Sequence, residues 1–374
     1  AGQSFVDHAY PADPSDSCYQ LYTSGTTGLP KGVETTHTNL IHQLAKGLAP
    51  INFEEASVNL VCMPLFHISG SGWGLIGIYF GSESILLKEP DMQAILKAIP
   101  EYGITHSIFV PAVLQFLLDQ PNIAEVDFSS LQSVTYGASP ISEQVLVRAI
   151  DTFKARFFQA YGLTETTGGV SLLFPEDHDP GGARAGLLRS CGKVVSGHEL
   201  KIMDSATDEA VADGEVGEIW IRGPQIMKGY WRNEQATAES ISEDGWFKSG
   251  DAGYLIDGYL YIHDRVKDMI ISGGENIYPA EIENVLMRHA AISDVAVIGV
   301  PDERWGETVK AIITRDDASL SEEDVISYCR QQLAHYKCPS SVDWLTVIPR
   351  NPSGKILKTE LRKPYWIDKA RNVS

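Results

Sequence analysis

Between Leu21 and Gly32 the sequence sets four hydroxyl side chains, Thr23, Ser24, Thr26 and Thr27, around Gly25 and Gly28, and it closes the stretch with Lys31. Glycines let backbone N–H groups turn toward an anion, hydroxyls add donors, and the lysine adds a full charge, so the composition suits a polyphosphate. It is not a Walker A loop, because the glycine-to-lysine spacing differs and no hydroxyl follows Lys31. Taken alone, the stretch also fits a plain surface loop between a strand and a helix. Further charged residues sit in short, turn-rich contexts downstream. Glu165 lies in the run Tyr161, Gly162, Leu163, Thr164, Glu165, Thr166, and Asp251 ends the run from Trp246. Arg265 and Lys267 precede the glycine pair Gly273 and Gly274, and Lys355 ends a Pro/Gly-rich run from Pro349.

The elements that must position these residues fall into distinct textures. Buried-strand runs at 57–63, 105–110 and 133–136 alternate with helix-spaced apolar residues, Met92, Ile95, Leu96 and Ile99, then Val145, Leu146, Ala149 and Phe153. That alternation predicts βαβ units and a mostly parallel sheet in an α/β fold. From about 186 to 262 short strands cut by turn residues (199–203, 218–222, 259–262) predict a small antiparallel or barrel-like subdomain. Beyond a hinge at 263–267, a helix near 280–288, strands at 295–300 and 310–314, and a capping box at Ser321 opening a helix through Leu333 predict a smaller α+β domain, 268–374.

Bulk properties exclude several functions. With 43% hydrophobic and 21% charged residues the chain is of ordinary globular composition, and a net charge of -19 disfavours nucleic acid, whose binding needs clustered cations. A small anion remains compatible, because charges beyond roughly 8 Å are screened and a few near lysines dominate. Five cysteines without a CxxC pair argue against a disulfide framework or a zinc site and predict reduced thiols in the cytoplasm. The most apolar stretch, 70–87, is interrupted by glycines and Glu83 and falls short of the roughly 20 apolar residues of a membrane span.

The motifs, in this order and spacing, resemble the adenylate-forming superfamily of acyl-CoA synthetases, amino-acid adenylation domains and beetle luciferases, over residues 18 to 365. The resemblance implies a large domain over 1–262, a mobile C-terminal lid, and ATP, Mg2+ and CoA as ligands. It also implies that further chain precedes the Ser/Thr/Gly loop. By the same resemblance, Thr23, Ser24, Gly25, Thr26, Thr27, Gly28 and Lys31 grip ATP phosphates. Glu165, beside Thr164, holds Mg2+, a task suited to a hard oxygen ligand. Gly137, Ala138 and Ser139 flank adenine with Tyr161 and Gly162, and Asp251 accepts the ribose hydroxyls with help from Arg265. Lys267 is the pivot, Gly273 and Gly274 line a pantetheine tunnel, and Lys355 contacts the reacting carboxylate and phosphate. A core aromatic is the alternative reading of Tyr161, and a turn aspartate that of Asp251.

His67 stands where amino-acid adenylation domains carry Asp, so a partner for a substrate ammonium is missing. The resemblance makes it a guard of the pocket mouth; a structural histidine is the other reading. Glycines at 70, 72 and 74 and the pair Gly168 and Gly169 suggest open space for an apolar acyl or aryl group. The implied reaction is ATP-dependent activation of a monocarboxylic acid to acyl-AMP, then transfer to CoA; a luciferase-like enzyme, an amino-acid adenylation domain or a non-catalytic nucleotide-binding remnant are the alternatives. Two like charges at 4 Å repel by about 4 kcal/mol at an effective dielectric of 20, so a lysine between them matters most once water is excluded. Lys355→Ala should therefore slow adenylate formation on the order of 100-fold while thioester formation from supplied acyl-AMP survives, as separate half-reaction assays would show.

Overall fold

The computed structural model describes residues 11–23, 30–204, 207–350 and 356–367. An antiparallel hairpin comes first, β1 (Ser17–Thr23) with β2 (Lys31–Thr36), and Thr36 caps the short helix α1 (His37–His42) through a reciprocal bond with Asn39. The central sheet follows. Strand β3 (Val58–Val61) leads into α2 (Ile68–Phe80), β4 (Glu83–Leu86), α3 (Met92–Tyr102), β5 (His106–Phe109), α4 (Pro111–Leu118), β6 (Ser133–Gly137), α5 (Glu143–Phe153) and β7 (Arg156–Leu163). These five strands are parallel in the order β4-β3-β5-β6-β7, and β8 (Gly168–Leu173) and β9 (Lys193–Val194) extend the edge antiparallel.

Local chemistry explains the boundaries. Asp91 and Ser142 cap α3 and α5 by accepting from Ala94 and Val145, and Gly103 and Lys154 end the same helices with positive φ of 61° and 50°. Helices α3, α4 and α5 bury Ile95, Ile99, Leu114, Leu146 and Phe153 against one face of the sheet, while Trp73 and Ile76 of α2 meet Phe158 on the other. Parallel strands covered on both faces read as continuous apolar runs, which is why this part was legible from sequence.

The strands beyond form an open sheet rather than a barrel: β10 (Glu199–Met203), β11 (Gly217–Arg222), then β13 (Phe247–Ile256) and β14 (Tyr259–Arg265). The intervening β12 (Gly229–Tyr230), followed by α6 (Glu234–Ser240), leaves that region and pairs with β2. Two sequence boundaries shift. Residues 193–194 belong to the central sheet, and β14 runs through Arg265 because Asp251 and Ala252 pair with Arg265 and Asp264. Of the stretch expected as a hinge, 263–265 is strand; a single 3-10 turn, Val266–Asp268, follows it.

After that turn come β15 (Ile270–Ser272), β16 (Glu275–Ile277), α7 (Pro279–Leu286), β17 (Ile292–Asp302), β18 (Gly306–Arg315), α8 (Glu322–Arg330), β19 (Ser341–Trp344) and α9 (Lys358–Arg362). The sheet order is β16-β15-β18-β17, with β19 parallel to β18. Helices α7 and α8 cover one face around Ile282, Leu286 and Cys329, and α9 covers the other beside Ile298 and Ile348. The Ser321 capping box is present, but α8 ends at Arg330 rather than Leu333. Among the described residues no helix is long and apolar enough to cross a membrane.

Gly137, the last residue of β6, lies so close to β7 that a Cβ there would collide with the carbonyl oxygen of Ala160. Gly137→Ala should lower the unfolding free energy by about 1–3 kcal/mol, the usual cost of overpacking, read as a lower denaturant midpoint. An unchanged midpoint would show that the two strands can part without cost.

Candidate active site

The hairpin fixes both ends of the hydroxyl-rich loop: Thr23 and Lys31 are cross-strand partners, and the Thr23 hydroxyl reaches the Lys31 carbonyl at 3.5 Å. Ser24, Gly25, Thr26, Thr27 and Gly28 lie outside the described residues, as does Lys355. Lys31 places its ammonium over the ring of Tyr230, 4.8 Å from the centroid. The hydroxyl of that same tyrosine donates to Oε1 of Glu165 at 3.0 Å. Burial first, then the Glu165 charge, holds the phenol pKa above its ordinary value, so Tyr230 stays a donor at neutral pH.

Glu165 sits on a 3-10 turn, Thr164–Thr166, between β7 and β8, with Thr164 half-buried at its start. The turn is locked from several sides. Thr166 Oγ1 accepts from the Leu163 N–H at 2.8 Å and donates to the Gly168 carbonyl at 2.7 Å. Thr167 takes a left-handed φ of 55° and donates to the Gln225 carbonyl, while the Met227 N–H donates to the Glu165 carbonyl at 2.8 Å. A Cβ on Gly162 would collide with the Gly168 carbonyl, so the hairpin closes only with glycine there.

One turn of chain away, the Tyr161 hydroxyl donates to Oδ2 of Asp251 at 2.8 Å, and Arg265 Nε meets Oδ1 at 2.6 Å. Asp251 is 5% exposed, and Arg265 faces it across β13 and β14. Burial and the neighbouring Asp251 charge keep the Tyr161 phenol pKa well above the usual range. Each Asp251 oxygen has a second lone pair, so the carboxylate retains capacity for two further donors. Gly137, Ala138 and Ser139 leave the end of β6 beside Tyr161, with Ala138 exposed at a φ of 68°. The group thus gathers at the carboxyl edge of the parallel strands, where open α/β sheets bind ligands.

Other expected residues stand apart from this cluster. His67 occupies the residue before α2 with its ring 4.6 Å from that of Phe66. Its Nε2 is buried without a protein partner, and burial lowers its pKa, leaving the ring neutral at pH 7. Lys267 lies on the Val266–Asp268 turn, and Gly273 and Gly274 form the β15–β16 turn with φ of 61° and 88°. A Cβ on Gly274 would meet open space, whereas one on Gly273 would press within 2.7 Å of the Trp305 ring. The acyl-space reading needs correction at two of the glycines: Gly70 lets α2 pack on the Met63 and Pro64 carbonyls, and Gly168 serves its φ of 112° beside Gln43. Gly74 and Gly169 make only ordinary contacts.

Sequence reading missed Tyr230 and Trp305. Tyr230 lies 65 residues beyond Glu165 on a two-residue strand, too short for any periodicity to mark. Trp305, 47% exposed with the Arg304 guanidinium 4.4 Å over its ring, offers the only signal available to sequence, a large aromatic in a charged turn.

Residues 3–231 match the family model of the AMP-binding enzyme, and residues 281–355 match that of the AMP-binding enzyme C-terminal domain. The chain is a member of the AMP-binding enzymes. Similar relatives include a fatty acid–[acyl-carrier-protein] ligase of Streptomyces coeruleorubidus, 39% identical, covering 96% of this chain and 70% of the relative. A long-chain-fatty-acid–CoA ligase of Mycobacterium tuberculosis is 38% identical over 94% of this chain and 68% of its own. Among solved structures, o-succinylbenzoate CoA synthetase of Bacillus subtilis, in complex with its acyl-adenylate intermediate, superposes with a TM-score of 0.85 at 34% identity, covering 94% of this chain and 70% of that one.

Members of this AMP-binding family use Mg2+ with ATP, and the donor set here fits that ion. Among the described residues no group of three or more His, Cys, Asp or Glu could hold a metal by itself, and Glu165, whose carboxylate accepts from Tyr230, is the candidate ligand. Mg2+ commonly binds in this way, with one or two carboxylates plus phosphate and water oxygens. Tyr230 orients that carboxylate. Tyr230→Phe should raise the Mg2+ concentration for half-maximal pyrophosphate release by about tenfold or more, the usual effect of losing an outer partner of a metal ligand; an unchanged Mg2+ titration would deny the tyrosine this role.

Proposed function

We propose that the chain is an AMP-forming acid–thiol ligase that activates a medium- or long-chain fatty acid, or an aryl acid, and passes it to CoA. The observation that carries this reading is the convergence at one sheet edge of Lys31, Glu165 and Asp251, joined through Tyr230, Tyr161 and Arg265. An ammonium for phosphates, a carboxylate for a hard cation and a carboxylate for vicinal hydroxyls are the three contacts an adenosine triphosphate requires. Relatives at 38–39% identity named as fatty-acid ligases supply the substrate class.

In the first half-reaction the acid's carboxylate oxygen forms a bond to the α-phosphorus and the bond to pyrophosphate breaks. Asp251, fixed by Arg265 and Tyr161, receives the ribose hydroxyls, and residues 137–139 border the base. Lys31 and the loop from Thr23 to Gly28 hold the phosphates, and Glu165 with Thr164 faces them. Magnesium held by Glu165 would supply charge neutralisation at phosphate oxygens. Lys355, in the role the resemblance gives it, contacts the carboxylate and the phosphate being joined. In the second half-reaction a thiol sulfur attacks the activated carbonyl, its proton leaves to solvent, and AMP departs. Residues 268–374 turn about Lys267 between the steps, and the Gly273–Gly274 turn gives passage to the pantetheine arm, since Gly274 leaves space where a side chain would stand.

His67 brings a neutral imidazole to the acid's entrance, consistent with an uncharged rather than an ammonium-bearing substrate. A cytoplasmic setting is supported by the five free cysteines, four of them buried. Pyrophosphate release screened over fatty and aryl acids of graded length, with CoA or acyl-carrier protein as acceptor, tests the reading. Apolar monocarboxylic acids with CoA should turn over, and activity only with amino acids or dicarboxylates would contradict it. Turnover with acyl-carrier protein alone would move the acceptor to the one named for the Streptomyces relative.

A further inference from the structure

Helix α7 lacks a cap of its own. Tyr278 occupies its N-cap position without a side-chain hydrogen bond to the first turn, and Pro279 follows. Helix N-termini leave N–H groups without intrahelical partners and favour a carboxylate there. The missing cap comes from the other side of the Val266–Asp268 turn: Asp264, on β14, accepts from the Ala280 N–H through Oδ2 at 2.8 Å. Its neighbour His263 stacks on Tyr278, with ring centroids 4.2 Å apart and planes 19° apart.

Two ion pairs nearby lie from the last residue of the turn onward. Lys358 on α9 pairs with Glu283 on α7 at 2.8 Å, and Arg362 pairs with Asp268 at 2.8 Å. A rotation of residues 268 onward about Lys267 carries those pairs along unchanged. The Asp264 cap and the His263–Tyr278 stack cannot follow, because one partner of each stays on β14. They are among the contacts across the turn that such a rotation must break and, on return, remake.

We propose that Asp264, with the His263–Tyr278 stack, is a latch across the turn that favours the arrangement seen here and so sets how the two half-reactions share the enzyme. Asp264 acts as a positioning residue; the inference rests on the ligase reading above. Removing the cap weakens one arrangement relative to the other by the worth of one helix cap, about fivefold in their ratio.

Three variants test this: Asp264→Ala, which removes the cap; Asp264→Asn, which keeps an acceptor oxygen; and Tyr278→Leu, which removes the stack and leaves the cap. Pyrophosphate exchange and thioester formation from supplied acyl-adenylate are measured separately. In parallel, trypsin cleavage after Arg265 and Lys267 is followed. The latch predicts that Asp264→Ala changes the ratio of the two half-reaction rates by about fivefold, that Tyr278→Leu shifts it in the same direction, and that Asp264→Asn restores it to within about twofold of the starting protein. Cleavage at the turn should rise in Asp264→Ala while the rest of the chain is cut at its original rate. An equal fall in both half-reactions, or cleavage at the turn unchanged, overturns the proposal. Should the starting protein perform neither half-reaction, the ligase reading fails, and cleavage at the turn in Asp264→Ala and Tyr278→Leu still decides the latch.

Discussion

Asp251 is an anion withdrawn almost entirely from water, and such a group persists only where an opposite charge and hydrogen bonds replace its hydration. Arg265 supplies the charge and Tyr161 the bond. Much of the architecture follows from that requirement. Tyr161 belongs to the central sheet, Arg265 to the last strand of the antiparallel sheet, and Asp251 to the strand beside it, so one carboxylate links the two sheets. It also explains why β14 continues through Arg265: the guanidinium must lie opposite Asp251, and strand pairing puts it there.

A second charged chain is built on the same edge. Lys31 and Glu165 do not touch; Tyr230 stands between them, giving its ring face to the ammonium and its hydroxyl to the carboxylate. Held in this way, the cation and the anion keep their separate positions instead of collapsing into a pair that would neutralise both. An enzyme that must bring a carboxylate up to a phosphate profits from such preorganised charge, because reorienting dipoles at the moment of reaction costs free energy. The overall charge of -19 is no obstacle, since the acidic surface is screened at a distance and the site is governed by its nearest groups.

Motif-borne residues were legible because each sits in a local pattern: hydroxyls and glycines before Lys31, a tyrosine four residues ahead of Glu165, a turn closing on Asp251. The parallel sheet and its capped helices were legible for the same reason, being written in period and in caps such as Asp91 and Ser142. What sequence did not reveal were partners distant in the chain. Tyr230 reaches Glu165 only because β12 returns to β2, and Asp264 caps α7 sixteen residues on. The glycines of α2 misled in a different way. Gly70 reads as open space, yet it allows backbone to approach backbone, and only the crossing of α2 over Met63 and Pro64 distinguishes the two.

The proposed function assigns Asp251 to the vicinal hydroxyls of the nucleotide. Calorimetric binding of ATP and of 2′,3′-dideoxy-ATP to this chain and to its Asp251→Asn variant tests that most directly. The parent should prefer ATP by about tenfold or more, as expected for hydrogen bonds to a charged group, and the variant should lose most of that preference. Equal affinity of the parent for both nucleotides would contradict it.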